Sequence, residues 1–423
     1  MLRVAASASR EGRALLARLR ARRLSPDFAT LREALPIVEA VLTVGAPALA
    51  RFVAELDGEK IAPKRLLVRP RPEKDVDPAF VKAFRLARRR LTAYHRRQLP
   101  TGFSFRDALG VGFVEQPLPH EAVGVYVPGG RAFYPSSLLM GVVPARVAGA
   151  KRIVVATPPR AFRQSRELRW ALAELGVDEV LLAGGAHGIA GLVSVARCTK
   201  VVGPGNRWVA AAKHLVSGLV SIDLPAGPSE VLILAAGGAD PERIAADLLA
   251  QAEHDPDAVC LLFTDRDNLA TASAAEVARR LGGLPTALTA RASLATNGLA
   301  LVFPTLPAAA KEGIAFAAEH VELMGRAAER YASRFAATSG AVFVGNGTPT
   351  AFGDYLAGPN HVLPTGGAAR SFSGLSVRDF LRWGRSVCVP AAAARRLGPP
   401  AATLARFEGL EAHARSLDLR SAP

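Results

Sequence analysis

Four short stretches hold the side chains best suited to chemistry. "DLLAQAEHDPD" (247–257) sets Gln251 and His254 one helical turn apart, at the end of a stripe begun by Ile244 and Leu248. "AAEHVEL" (317–323) places Glu319 directly before His320, and "GDYLAGPNHVLPTGG" (353–367) holds Asp354 and His361 among glycines and prolines that disfavour a regular helix. "EGLEAHARS" (408–416) adds Glu408 and His413 near the end of the chain. A carboxylate beside an imidazole can tune it for general acid–base work. Imidazole, carboxylate and amide donors without thiolate suit Zn2+ or Mn2+, and Gln251, His254, Asp354 and His413 would make such a set. Each signal also has a plainer reading. A lone His at a helix end is more often a cap or a satisfied core group, and an adjacent Glu–His pair is more often a surface pair. Glu408 and His413, five apart, would face one ligand only across a turn or an irregular helix.

The elements that must position these residues are of two kinds. To about residue 106 the chain reads as helical, with breaks at "DGEKIAP" and "RPRPEKDVDP". From 111 the texture changes to short Val/Ile-rich runs, Gly/Pro turns and intervening helices. "VGVYV", "RIVVATPP", "EVLLAGG" and "TKVVGPGN" alternate with helical stretches, and a second series begins at "SEVLILAAGG" and "AVCLLFTD". This alternation predicts two parallel, doubly wound α/β units. Four Gly-rich turns follow strands, at 127–131, 183–188, 202–206 and 225–230, where backbone N–H groups could approach a phosphate or carboxylate. None is a GxGxxG opening a helix.

Composition narrows the class further. Half of the 423 residues are apolar and about a fifth are charged, as in ordinary globular proteins. No apolar run is long enough to predict a membrane span. Three widely spaced cysteines make neither a CxxC pair nor a Cys/His zinc spacing, and a reducing cytoplasm fits them best. The net charge is +16, of which residues 1–106 contribute +13. Much of it lies on "AFVKAFRLARRRLTAYHRRQL" (79–99), where Phe80, Phe84, Ala87, Leu91 and Tyr94 form an apolar stripe and the arginines fall off it. A solvated basic face explains this, and no zinc-finger or RNP pattern supports specific nucleic-acid binding. The Arg-rich start has the flavour of a transit peptide, but a basic first helix with Leu15, Leu16 and Leu19 on one side is the plainer reading.

The longer motifs resemble a known family. "VGVYVPGGRAFYPSSLLM", "KVVGPGNRWVAAAKHLVSG", "IDLPAGPSEVLILA", "DLLAQAEHDPDA", "AEHVEL", "GDYLAGPNHVLPTGGAARSFSGLSVRDF" and "EGLEAHARS" are similar, in order, to histidinol dehydrogenases over about residues 110–416. The resemblance implies oxidation of L-histidinol to L-histidine through histidinaldehyde, with two NAD+ and one Zn2+ per subunit. It implies zinc ligands at Gln251, His254, Asp354 and His413 and an acid–base pair at Glu319 and His320. Substrate contacts would come from Ser229, Glu408 and the zinc ligands, with His361 as a further active-site imidazole. NAD contacts would fall at Tyr126, His187 and Asn206. A homodimer is implied, whose C-terminal tail carries Glu408 and His413 into the partner's active site. The expected fold is two incomplete Rossmann-like domains with a helical N-terminal segment and an extended helical C-terminal tail. Its expected division is 1–27, then 28–122 with 231–376, then 123–230 on the nucleotide side, and the tail 377–423. The chain departs from the family pattern at His187, where Gln is usual, at Gly141 for Asn and at Ala318 for Pro, and the stretch between Ile189 and Lys200 is shorter. Two other readings are a zinc-dependent dehydrogenase of another small polar alcohol, such as a sulfonated diol, and a non-catalytic homologue.

Overall fold

The computed structural model describes residues 2–23, 28–129, 134–224 and 227–422. Parts of the 127–131 and 225–230 turns, and residues 24–27 of the N-terminal segment, lie outside the described residues. The chain divides into two compact units, Met1–Gln98 with Glu121–Phe380, and Leu99–His120 with Leu381–Pro423.

The first unit is an α/β structure built on two six-stranded sheets. One sheet runs in the order Arg3–Ala6, Gly298–Val302, Val259–Thr264, Glu230–Ala235, His320–Met324, Ala341–Val344, all parallel. The other runs Leu67–Val68, Glu179–Leu182, Arg152–Thr157, Ala122–Tyr126, Lys200–Val202, Ser221–Ile222, parallel except for its first strand. In both sheets the chain builds outward from a central strand to one side, then returns to build on the other, which is the doubly wound order.

The strands are mostly apolar because both faces are covered. All six residues of Glu230–Ala235 and of Val259–Thr264 are buried. Leu232 and Leu234 face a cluster with Leu16, Leu19 and Phe316, whereas Val231 and Ile233 face Ile244 and Leu248 of the helix Pro241–Ala252. Fully buried Phe263, Phe316 and Phe335 each stabilise the fold by roughly 1.5–3 kcal/mol through the apolar surface they remove from water.

Several details differ from the sequence-based expectation. The N-terminal segment is not only helical, because Arg3–Ala6 is an edge strand of the first sheet before the helix Arg10–Arg23. Residues 28–122 were assigned to the sheet of 231–376, yet the helices Phe28–Val44 and Ala46–Leu56 bury Val38, Val41, Leu49 and Val53 against the second sheet with Tyr126 and Leu181. On the basic helix Pro78–Arg96, His95 rather than Tyr94 continues the buried stripe after Leu91, and Tyr94 is exposed. Arg85 and Arg88 on its polar face pair with Glu174. The tail also contains a strand, Leu381–Cys388, which with Gly112–Pro119 and Phe103–Arg106 makes the antiparallel sheet of the second unit. Its helices Ala391–Phe407 and Glu411–Ser421 pack together through Ala402, Ala405 and Ala414. No helix of the described residues is long and apolar enough to cross a membrane.

Two glycines show why the second sheet admits no side chain near its central strand. Gly203 has φ +124° and a Cβ there would collide with the Tyr126 carbonyl, and a Cβ at Gly141 would collide with Val125. Gly203→Ala is expected to destabilise the protein by at least about 2 kcal/mol, from backbone strain plus overpacking, seen as a lower urea midpoint. An unchanged midpoint would contradict that packing.

Candidate active site

Glu319 and His320 lie at the amino edge of the first sheet, not at the carboxyl edge where ligands of such sheets usually bind. Strands Glu230–Ala235 and His320–Met324 are neighbours, with Val231 opposite His320. Immediately before that register the two chains exchange hydrogen bonds. The Glu230 N–H donates to Oε2 of Glu319 at 2.8 Å, and the Glu319 N–H donates to Oε2 of Glu230 at 3.3 Å. Both carboxylates are buried.

This arrangement orients His320. Its Nδ1 lies 3.2 Å from the Glu230 carbonyl oxygen and 3.4 Å from Oε2 of Glu319. Oxygens of that kind only accept, so Nδ1 carries a proton, and Nε2 is left buried with no partner among the described residues. Burial opposes protonation of the ring, but Glu319, Asp354 and the Glu230 carbonyl outweigh it and push the pKa up to about 9.

Asp354 reaches this site from the last turn of the short helix Thr350–Tyr355, so the first residues of the 353–367 stretch are helical after all. Gly353 lets that helix lie against Phe343, because a Cβ there would stand 2.5 Å from the ring. Oδ1 of Asp354 is 3.4 Å from Nδ1 of His361, which makes no hydrogen bond. Burial works to raise the Asp354 pKa, but His361, with His320 and His254 also contributing, holds the carboxyl below its usual range. Asn360 pins the following loop, donating to the Met140 carbonyl at 2.8 Å and accepting from the Val362 N–H at 3.0 Å. Thr365 Oγ1 accepts the Gly227 N–H at 2.6 Å, tying this loop to the one that carries half-buried Ser229. A small cavity lies among His320, Phe343, Gly353, Asn360 and His361.

Gln251 lies in the last turn of the helix Pro241–Ala252 and is buried, its Nε2 without a partner among the described residues, whereas His254 lies past the helix end and is exposed. That helix touches Thr350–Tyr355, and His254 is near enough to Asp354 to act on its charge. The structure therefore brings Gln251, His254, Asp354, Glu319, His320 and His361 to one region. Glu408 and His413 belong to the second unit, exposed and separated by a turn at Gly409 with φ +76°. Among the described residues, no three His, Cys, Asp or Glu side chains converge closely enough to hold a metal.

The residues expected at the nucleotide lie on the second sheet. Tyr126 and Asn206 follow the two strands where the order reverses. The Tyr126 hydroxyl accepts the Gly185 N–H at 3.0 Å, and burial pushes its pKa up to about 12. Asn206 caps the helix Arg207–Val216, accepting from Trp208 and Val209. His187 is buried, with Nε2 2.9 Å from Oδ2 of Asp57, which also takes the Gly184 N–H at 3.0 Å. Sequence reading missed Asp57, Glu230 and Asn360. Asn360 and Glu230 stand inside stretches already singled out, whereas Asp57 carries no local pattern that marks it as a partner of His187.

Two doubly wound sheets, one with a buried Glu–His couple on its amino edge, define an α/β enzyme. Comparison with known proteins narrows this: the chain belongs to the histidinol dehydrogenase family, whose profile matches residues 22–421, and is thereby an oxidoreductase. It is 42% identical to the histidinol dehydrogenase of Agrobacterium fabrum over 95% of this chain and 94% of that one. With the enzyme named for Thermus thermophilus it shares 44% identity over 91% and 93% of the two chains. The crystal structure of histidinol dehydrogenase from Elizabethkingia anophelis superposes with a TM-score of 0.83 at 30% identity, covering 94% of this chain and 92% of that one.

The raised His320 pKa has a testable sign. The folded value exceeds the roughly 6.5 of a free imidazole, so the group stabilises the fold below that pH, and this contribution fades as pH rises through about 9. In the metal-free protein, NMR titration of the His320 ring should show a midpoint near 9, and Glu319→Gln should lower it. A midpoint that Glu319→Gln leaves in place would contradict the assigned coupling.

Proposed function

We propose that the chain oxidises L-histidinol to L-histidine through histidinaldehyde, with NAD+ as acceptor and one Zn2+ per subunit. The observation that carries this reading is the His320 imidazole, held by Glu230 and Glu319 with Nε2 bare, in the same region as Gln251, His254 and Asp354.

The donor chemistry of the chain fits the metal. Gln251 is buried near the helix end and could offer its amide Oε1, Asp354 keeps an ionised carboxylate, and His254 is exposed. These three would hold Zn2+, with His413 of a second copy as the fourth ligand. Bound Zn2+ would orient the amino and imidazole nitrogens of the substrate, and NAD+ would accept hydride. With its ring neutral, as it becomes when pH rises through about 9, His320 takes the carbinol proton at Nε2 while Nδ1 remains bonded to the Glu230 carbonyl. Glu319, beside that ring, serves in activating water for the aldehyde. The buried setting excludes bulk water from the proton transfer, which is worth about 10²–10⁴-fold in rate. Tyr126, His187 and Asn206 would face the nucleotide, and Ser229, Glu408 and His361 the substrate.

A homodimer with shared sites accords with the second unit, which exposes Leu404, Phe407 and Leu419 at 67%, 88% and 80% and presents Glu408 and His413 unburied. A cytoplasmic setting accords with three free cysteines, two of them buried.

His320→Ala is expected to retain zinc and lose about 10²–10⁴-fold in turnover, whereas His254→Ala loses zinc. NADH formation from L-histidinol at 340 nm, before and after chelation, with zinc content measured alongside, checks both. Full turnover in His320→Ala, or turnover with dihydroxypropanesulfonate but not L-histidinol, would overturn the reading.

A further inference from the structure

Behind the candidate site lies a pair of carboxyl groups that the mechanism does not use. Glu322 is two residues beyond His320 on the same strand, opposite Ile233 and Phe343, and is 1% exposed. Its partner in register, Ile233, faces the helix Pro241–Ala252, so Glu322 faces that helix too. There Asp247, one turn before Gln251, is near enough to Glu322 for each to act on the other's charge. Oε1 of Glu322 accepts the backbone N–H of Thr350 at 2.6 Å, at the start of the short helix that carries Asp354. Its Oε2 finds no donor among the described residues.

Two neighbouring carboxylates resist joint ionisation at a buried site, which one proton shared between them would relieve. Burial drives both groups up, Asp247 to about 6 and Glu322 well above its usual range, although Arg243 on the same helix partly offsets this for Asp247. The geometry alone already joins three elements: the helix of Gln251 leading to His254, the strand of His320, and the helix of Asp354.

We propose that Asp247 and Glu322 are positioning residues that, through one shared proton, hold the Gln251–His254 helix end against Asp354 and thereby set the geometry of the metal ligands. Part of this inference rests on the zinc reading above, and part, the shared proton, does not.

The test uses the full-length protein loaded with zinc and follows release of the ion to a chelator. Glu322→Ala is expected to speed release by about 10–100-fold, the usual loss when a group behind a metal ligand is removed. Glu322→Gln keeps an oxygen for Thr350 and offers Asp247 an amide N–H, so it should release zinc at close to the parent rate. Asp247→Ala, on a half-buried helix face, carries the same expectation as Glu322→Ala should the latter fail to fold. Release at the parent rate from a folded Ala variant, or equal loss in Glu322→Gln and Glu322→Ala, overturns the inference. The infrared spectrum of the metal-free parent at neutral pH should contain a protonated carboxyl stretch that Glu322→Gln abolishes. A stretch untouched by Glu322→Gln and by Asp247→Asn overturns the shared proton. A parent that binds no zinc overturns the zinc reading instead, and the infrared result then still decides whether the pair exists.

Discussion

The exchange of hydrogen bonds between Glu230 and Glu319 is the constraint on which the rest of the site depends. It clamps the amino ends of two adjacent parallel strands at the point where their order reverses. Edge amides there would otherwise be unsatisfied in an apolar interior, so the carboxylates serve the fold before they serve chemistry. The same clamp aims the Glu230 carbonyl at the imidazole and so decides which ring nitrogen is free. The orientation of the ring is thus built from strand pairing, whose register is enforced by the whole core around it.

The second sheet uses a comparable device with a different outcome. Asp57 receives both the Gly184 amide and the His187 ring, so the turn after Glu179–Leu182 is already neutralised from within. Lys213 forms a buried ion pair with Asp223, which accepts the Gly203 amide at 2.8 Å, beneath the turn after Lys200–Val202. Charge in these loops goes first into holding backbone, and His187 is anchored there.

Much of this was legible in the residues. Continuous apolar runs bounded by Gly/Pro turns marked the parallel strands, and the long motifs marked the family. Local periodicity could not separate Tyr94 from His95, since both continue the stripe of Leu91 within one turn, and only packing beside Asn360 selects His95. Nor could it show that helices 28–56 cover the second sheet, because amphipathic helices do not announce which apolar surface they will meet. No local pattern marks Asp247 or Glu322. Their burial follows from the register that sets Glu322 beside Ile233, a long-range fact no spacing contains. The functional set in the 353–367 stretch was visible because its backbone is unusual, although Asp354 proved to sit on a helical turn.

One edge of the first sheet bears on how the protein comes to exist. Arg3–Ala6 pairs with Gly298–Val302, whereas every strand of the second sheet lies between residues 67 and 222. During synthesis the second sheet can therefore close while the opening segment, with Leu2, Leu16 and Leu19 still uncovered, waits for a partner almost three hundred residues downstream. A segment made long before its partner is among the last to be shielded, and that interval is when a newborn chain most needs protection from its neighbours.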